Sequence, residues 1–334
     1  MLCSYYYYER GKTLNTIKRI DNIDNTFYNK LEKLQDVLKL HESKKSKNYF
    51  KLSHIIWSEN LKKQRQASDY FILVVNNTKI NNGIIVNPPL RIPKELNNKF
   101  HYVPLNHNML MIIDALVKNG SKPRYQDINS NRFLYSEHSG ILQLNKENQI
   151  SGILVSTDSN RSDLNDTDIL LPQNSDILAQ SPYIFHTHPN NSKYAGRVKD
   201  GVLYEFPSAN DVYNFMKYHD EGQAQASIVA APEGLYVIRS VCYQPQYKFN
   251  PHLFHSLRKF ILLIETAAIR KHKNELNQLH DPDLFHQKIA NDYTYINLYN
   301  RFIKPANLFI EYYPRIKRNN EWVLPSINLM LLIK

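Results

Sequence analysis

Tyr183-Ile184-Phe185-His186-Thr187-His188-Pro189 is the stretch around which the rest of the chain can be read. Three apolar residues lead into two histidines separated by a threonine, and a proline closes the run. The pattern predicts a strand over 182–186. Side chains two apart on a strand share a face, so His186 and His188 project together and could share one metal ion. Taken alone, an H-x-H pair is a weak signal and reads first as two surface histidines. Its meaning therefore depends on what lies on either side.

Downstream, Pro207-Ser208-Ala209-Asn210-Asp211 precedes Val212, Phe215 and Met216 at helical spacing, which predicts a helix over 209–219. Ser208 and Asp211 have the spacing of a capping box, a structural device in its own right. The same geometry gathers a hydroxyl and a carboxylate at the helix start, where the carboxylate is free to join the two histidines around a metal. Upstream, Glu137-His138-Ser139-Gly140-Ile141-Leu142 follows a predicted strand over 132–136. Glu137 alone reads as an exposed strand glutamate.

In chain order the three pieces are E-x-x-G-x-L, H-x-H-P and P-S-x-x-D. This ordered combination resembles the JAMM motif of the JAB/MPN metalloprotease family, over residues 101–242. Ser227 to Arg239 resembles the family's closing strand pair. The resemblance implies a JAB/MPN-like mixed β-sheet flanked by helices, with Zn²⁺ held by His186, His188, Asp211 and a water. Three protein ligands and an open position suit catalytic zinc, which lowers the pKa of its water to about 7. By the same resemblance Glu137 is the general base, later passing a proton to the leaving amine, and Ser208 donates to the oxyanion. Two features depart from the family pattern. Pro189 to Pro207 makes a longer connection than usual and brings in Asp200 and Glu205 as rival ligands, and Gln143-Leu144 stands where a glycine is expected. Glu147, in a polar turn, is the nearest rival base.

The elements around the motif give an α/β (α+β) core. Leu110, Ile113, Leu116 and Val117 line one face of a helix over 108–119, with Gly120 as its C-terminal cap. Strands are predicted at 140–144, 150–156, 226–231 and 235–241, the last two separated by Pro232-Glu233-Gly234, and 157–168 reads as a polar loop. Residues 1–100 form a basic N-terminal region. Phe27, Leu31, Leu34 and Leu38 predict a helix over 26–41, and strands at 70–76 and 84–86 flank a turn signal, Asn81-Asn82-Gly83, as a hairpin. Pro88, Pro89 and Pro93 mark a boundary near 87–100. Residues 243–334 form a mostly helical C-terminal region, in which Leu253, Leu257, Phe260, Ile261 and Ile264 repeat at three and four.

Lys and Arg number 42 against 31 Asp and Glu, a net charge of +11. That surplus favours anionic partners, whether nucleic acid, a membrane surface or a virion component, with nucleic acid read onto 44–65 and Arg315-Ile316-Lys317-Arg318. The charged run also reads as a solvated face. Tyr5 to Tyr8 could stack on bases but more readily pack on another surface. His272, His280 and His286 read as solvated or core histidines. Cys3 and Cys242, the only cysteines, form no disulfide framework, which suits a reducing compartment. No signal-peptide pattern opens the chain, and the apolar run Ile327–Ile333 is too short to span a bilayer. An intracellular, cytoplasmic protein, packaged in a virion or not, is expected. Few glycines with many Asn, Ile, Lys and Tyr suggest an AT-rich genome, as in a parasite or a large DNA virus. The functional expectation is a zinc-dependent peptidase or isopeptidase of deubiquitinase type, acting on ubiquitin or ubiquitin-like conjugates. The rival expectation is a structural or scaffold protein that keeps the domain for assembly.

Overall fold

The computed structural model describes residues 17–19, 51–56, 70–76, 85–86, 100–121, 125–127, 133–156, 161–162, 169–171, 181–189, 203–221, 223–240 and 251–332. The elements used below are, in chain order, β1 (Lys51–Ile56), β2 (Tyr70–Asn76), β3 (Phe100–Leu105), α1 (His107–Gly120), β4 (Ser139–Leu144), β5 (Ile150–Ser156), β6 (Tyr183–Thr187), α2 (Ala209–Glu221), β7 (Ala226–Ala230), β8 (Gly234–Ser240), α3 (Pro251–Lys271), α4 (Thr294–Ile303), β9 (Leu308–Pro314) and β10 (Ser326–Leu332).

Eight of these strands form one mixed sheet in the order β9-β8-β7-β6-β4-β5-β2-β1. Neighbours are antiparallel except β6 and β7, which run parallel with His186 opposite Val229. A parallel pair needs a crossover, and the segment between them supplies it with α2. A second sheet places β10 between β3 and a short strand, Ile85–Val86.

The central strands are apolar almost throughout because the sheet is covered on both sides. Alternation sorts their side chains. Tyr183, Phe185, Ile228, Leu235 and Val237 pack with α1, β3 and β10 on one face. Val229, Tyr236, Ile238, Ile310 and Tyr312 pack with α2, α3 and α4 on the other. A buried ion pair, Arg315 Nη2 to Asp114 Oδ1 at 2.6 Å, ties the end of β9 to α1. Asp114 sits below its usual pKa. Burial alone would raise it, but Arg315 and then Lys118 outweigh that cost.

The described strands of the sheet come from widely separated parts of the chain, Lys51 to Pro314. β1 and β2 extend it at one edge and β9 at the other, so backbone bonds join 51–56, 70–76 and 308–314 to the strands of 139–240. Residues 243–334 are helical through α3 and α4 and then extended in β9, β10 and the hairpin Ile316–Arg318/Glu321–Val323. Ile85–Val86 does not fold back on β2 as a hairpin partner. It pairs in parallel with Ser326 and Ile327, while β2 lies between β1 and β5. A turn signal fixes a reversal of the chain, not the partner of the next strand. Gly120 is not the C-terminal cap, which is Ser121. It is the last residue of α1, where a Cβ would overlap the Ser136 carbonyl oxygen. Arg161–Ser162, inside the expected polar loop, is a short strand against Ile169–Leu171. The predicted helix at 26–41, Tyr5–Tyr8 and most of 44–65 lie outside the described residues. None of the described helices is long and apolar enough to cross a membrane.

Candidate metal centre

The parity of β6 decides where its histidines go. Tyr183 and Phe185 fill the core under α1, so His186 and, one step past the strand, His188 face the side where α2 begins. His188 stays in register because its N–H donates to the Ala230 carbonyl at 2.8 Å. Thr187, pointing the other way, anchors the Glu137 segment. Its N–H donates to the His138 carbonyl at 2.8 Å, and its hydroxyl accepts the His138 N–H at 2.9 Å. Glu137 thus leaves the strand Phe133–Ser136 immediately beside a residue locked to the histidine strand.

The other half of the centre is the first turn of α2. The Ser208 N–H donates to Asp211 Oδ2 at 2.6 Å, and the Asp211 N–H donates to Ser208 Oγ at 3.2 Å, a reciprocal capping box. The box holds the Asp211 carboxylate against the histidines. Oδ1 lies 3.1 Å from His186 Nε2 and Oδ2 lies 3.3 Å from His188 Nε2. The two Nε2 atoms are 3.2 Å apart. Donors about 2.0–2.1 Å from a tetrahedral zinc ion stand roughly 3.3–3.4 Å from one another. Each separation is near that length, the two to Asp211 falling on different carboxylate oxygens, so the carboxylate stands where either oxygen can join the two histidines around one ion. At its other ring nitrogen, His188 Nδ1 lies 2.9 Å from the Glu205 carbonyl oxygen. A carbonyl can only accept, so Nδ1 carries the hydrogen and the Nε2 lone pair is left for a metal.

The electrostatics agree. Burial would raise the Asp211 carboxyl, yet His186 and His188 hold it well below the usual carboxylate range. Burial would lower His188, but Asp211 outweighs it and, with Glu137 and Glu205 adding, pushes His188 up to about 10. Surroundings that favour a proton on a buried imidazole favour a divalent cation among the same donors.

His186, His188 and Asp211 are the one group of metal-competent side chains among the described residues. Of the two rivals for the third position, Asp200 lies outside the described residues, and Glu205 meets His188 through its carbonyl. Ser208 stands at the helix start and Glu137 is half-buried near His188. Glu147 lies in the exposed turn between β4 and β5. Gln143 and Leu144 continue β4 with only a register irregularity, so the missing glycine is accommodated. His272 and His286 are buried, His286 against Trp322, and His280 is exposed. Sequence reasoning missed the Glu205 carbonyl, which no side-chain pattern could reveal. It also missed Glu233, read only as part of a turn. Glu233 is 1% exposed, and burial, then the Glu205 charge, push its carboxyl up to about 7.

Over 328 residues the chain is 44% identical to "Uncharacterized protein R413" of Acanthamoeba polyphaga mimivirus, an alignment covering 95% of this chain and 92% of that protein. No family model and no solved structure matches the chain.

Proposed function

The chain belongs to the family of that mimivirus protein, and from the residues of its candidate centre we propose that it is a zinc-dependent peptidase or isopeptidase of JAMM type. The observation that carries the reading is the spacing of His186, His188 and Asp211, whose ligand atoms all lie within 4.8 Å of one another. These three residues would hold the ion. When bound, Zn²⁺ supplies a Lewis acid and a water acidic enough to ionise near neutral pH.

The remaining work falls to the protein. Glu137 accepts a proton from the attacking water and delivers one to the departing amine, as a half-buried carboxylate beside the centre can. The Ser208 hydroxyl, which accepts from the Asp211 N–H, keeps its own hydrogen to donate to the carbonyl oxygen as negative charge develops there. Neither step requires a covalent intermediate. The bond broken is an amide, and the substrate class we assign is a ubiquitin or ubiquitin-like conjugate, on the strength of the motif resemblance.

Metal analysis of the purified chain should find zinc near one equivalent, and His188→Ala should lose most of it. A diubiquitin panel should be cleaved by the wild type and spared after chelation. Zinc bound with no cleavage of any conjugate or peptide would remove the enzyme reading and favour a scaffold that merely keeps the domain.

A further inference from the structure

Leu203 to Ser208, the last stretch of the long connection from His188, is held more firmly than a surface loop requires. Leu203, Tyr204 and Phe206 are buried. The Tyr204 hydroxyl donates to the Ile289 carbonyl at 2.7 Å, and the Tyr299 hydroxyl donates to the Pro207 carbonyl at 2.7 Å. The Tyr204 ring stacks on Phe206 and tilts against Tyr295, and Phe206 meets Tyr236 and Tyr299 edge-on. Between these two anchors stands Glu205. Its N–H donates to Glu233 Oε1 at 2.7 Å, and its carbonyl receives the His188 Nδ1 hydrogen at 2.9 Å. The same Glu233 oxygen accepts the Tyr236 hydroxyl at 2.7 Å.

Taking the metal-centre reading as its premise, we propose that Leu203–Ser208 is a strap that orients His188 for metal binding, with Glu233 as the positioning residue. The 289–299 segment of the C-terminal region is its outer clamp. Packing alone does not explain Glu233. Burying a carboxylate is costly, and an apolar side chain would fill the space without that cost. What the carboxylate adds is a fixed acceptor for the backbone N–H of the residue whose carbonyl sets the ring. Partners of this outer kind fix the tautomer and orientation of a ligating histidine, and their loss lowers metal affinity about 10–100-fold. The C-terminal region thereby becomes part of the centre, although it contributes no ligand.

The test uses the full chain and Co²⁺ as the probe, read by its dissociation constant and its visible absorption. Glu233→Ala should weaken Co²⁺ binding about 10–100-fold and alter the spectrum, while Glu233→Gln, which keeps an acceptor oxygen, restores most of the affinity. Tyr299→Phe keeps the ring and removes only the hydroxyl clamp, so it should weaken binding in the same direction by less. Thermal melts show whether each variant is folded, and if Glu233→Ala is not, Tyr299→Phe carries the test. Folded variants with wild-type affinity and spectrum would overturn the strap while leaving the metal centre standing. A wild-type chain that binds no Co²⁺, alongside an equally inert His188→Ala, would overturn the centre itself and the strap with it.

Discussion

At Gly140 a single missing Cβ decides how closely two strands meet. It lies opposite Phe185 on β6 and Val155 on β5, and a methyl group there would overlap the Leu154 carbonyl oxygen and crowd the Phe185 ring. The glycine of the motif therefore has a steric cause: it lets β4 seat against the backbone of β5 and leaves room for the Phe185 ring of the histidine strand. Gly140→Ala should destabilise the fold by about 1–3 kcal/mol, toward the upper end because backbone must move, seen as a lowered melting temperature. Glu137→Gln should do the opposite. It keeps size and hydrogen bonding but cannot accept a proton, so cleavage should fall about 10²–10⁴-fold with zinc content and melting temperature almost unmoved. Full activity in Glu137→Gln would remove it as the base, and Glu147→Gln assayed beside it tests the rival. At this scale the sequence was most informative. Identity and order of the motif residues pointed to His186, His188 and Asp211, which the structure brings together, whereas the Glu205 carbonyl was invisible because every residue carries one.

The first turn of α2 shows why a structural and a chemical reading of one segment need not compete. Ser208 and Asp211 satisfy each other's backbone N–H groups, and the orientation this imposes on Asp211 is the one that reaches His186 and His188. Ser208→Ala removes a capping oxygen, at a cost of about 1 kcal/mol, but leaves the Ser208 N–H bond to Asp211, so metal binding should survive. If the hydroxyl also serves the oxyanion, cleavage by Ser208→Ala should fall about 10²–10³-fold, far more than that stability loss explains, and Ser208→Thr should recover the melting temperature. An activity loss no greater than the loss of folded protein would leave Ser208 a cap alone. Elements were legible where local pattern and tertiary demand coincide. The strand at 150–156 lies within the predicted bounds, and α1 starts one residue earlier than predicted because Asn106, accepting from the Met109 N–H, caps it there. Gly120 was misread because a glycine after a helix usually signals a left-handed cap, whereas here the demand comes from a distant carbonyl.

Over the whole molecule, strand pairing is where the sequence was least legible. Nothing local in 308–314 says that it borders β8, nor in 85–86 that its partner lies some 240 positions away at Ser326 and Ile327. Pairings of that range depend on which apolar faces remain uncovered after the core forms. The basic run at 315–318 was likewise read as one surface, yet Arg315 turns inward to Asp114 and to the Pro232 and Ala231 carbonyls. Long-range packing also gives Glu233 a titration that should be measurable. It is enclosed by Tyr236 and by the backbone of Glu205, with the Glu205 charge, Tyr204 and Tyr312 nearby and the Arg315 N–H on its carbonyl. Its carboxyl is raised from 4.5 to about 7. Between those values the folded chain keeps a proton that the unfolded chain has released. The stabilisation from this group is therefore complete below pH 4.5 and lost as pH rises through about 7. Glu233→Gln carries no such proton. With chelator present to hold metal occupancy constant, its stability relative to wild type should climb between pH 5 and 8. An offset of that size corresponds to a change on the order of 3 kcal/mol. His188, raised by its own partners, titrates in both proteins and cancels in the difference. Parallel stability curves across that range would mean that Glu233 is ionised in the folded chain at no cost, and that its surroundings solvate it better than its burial suggests.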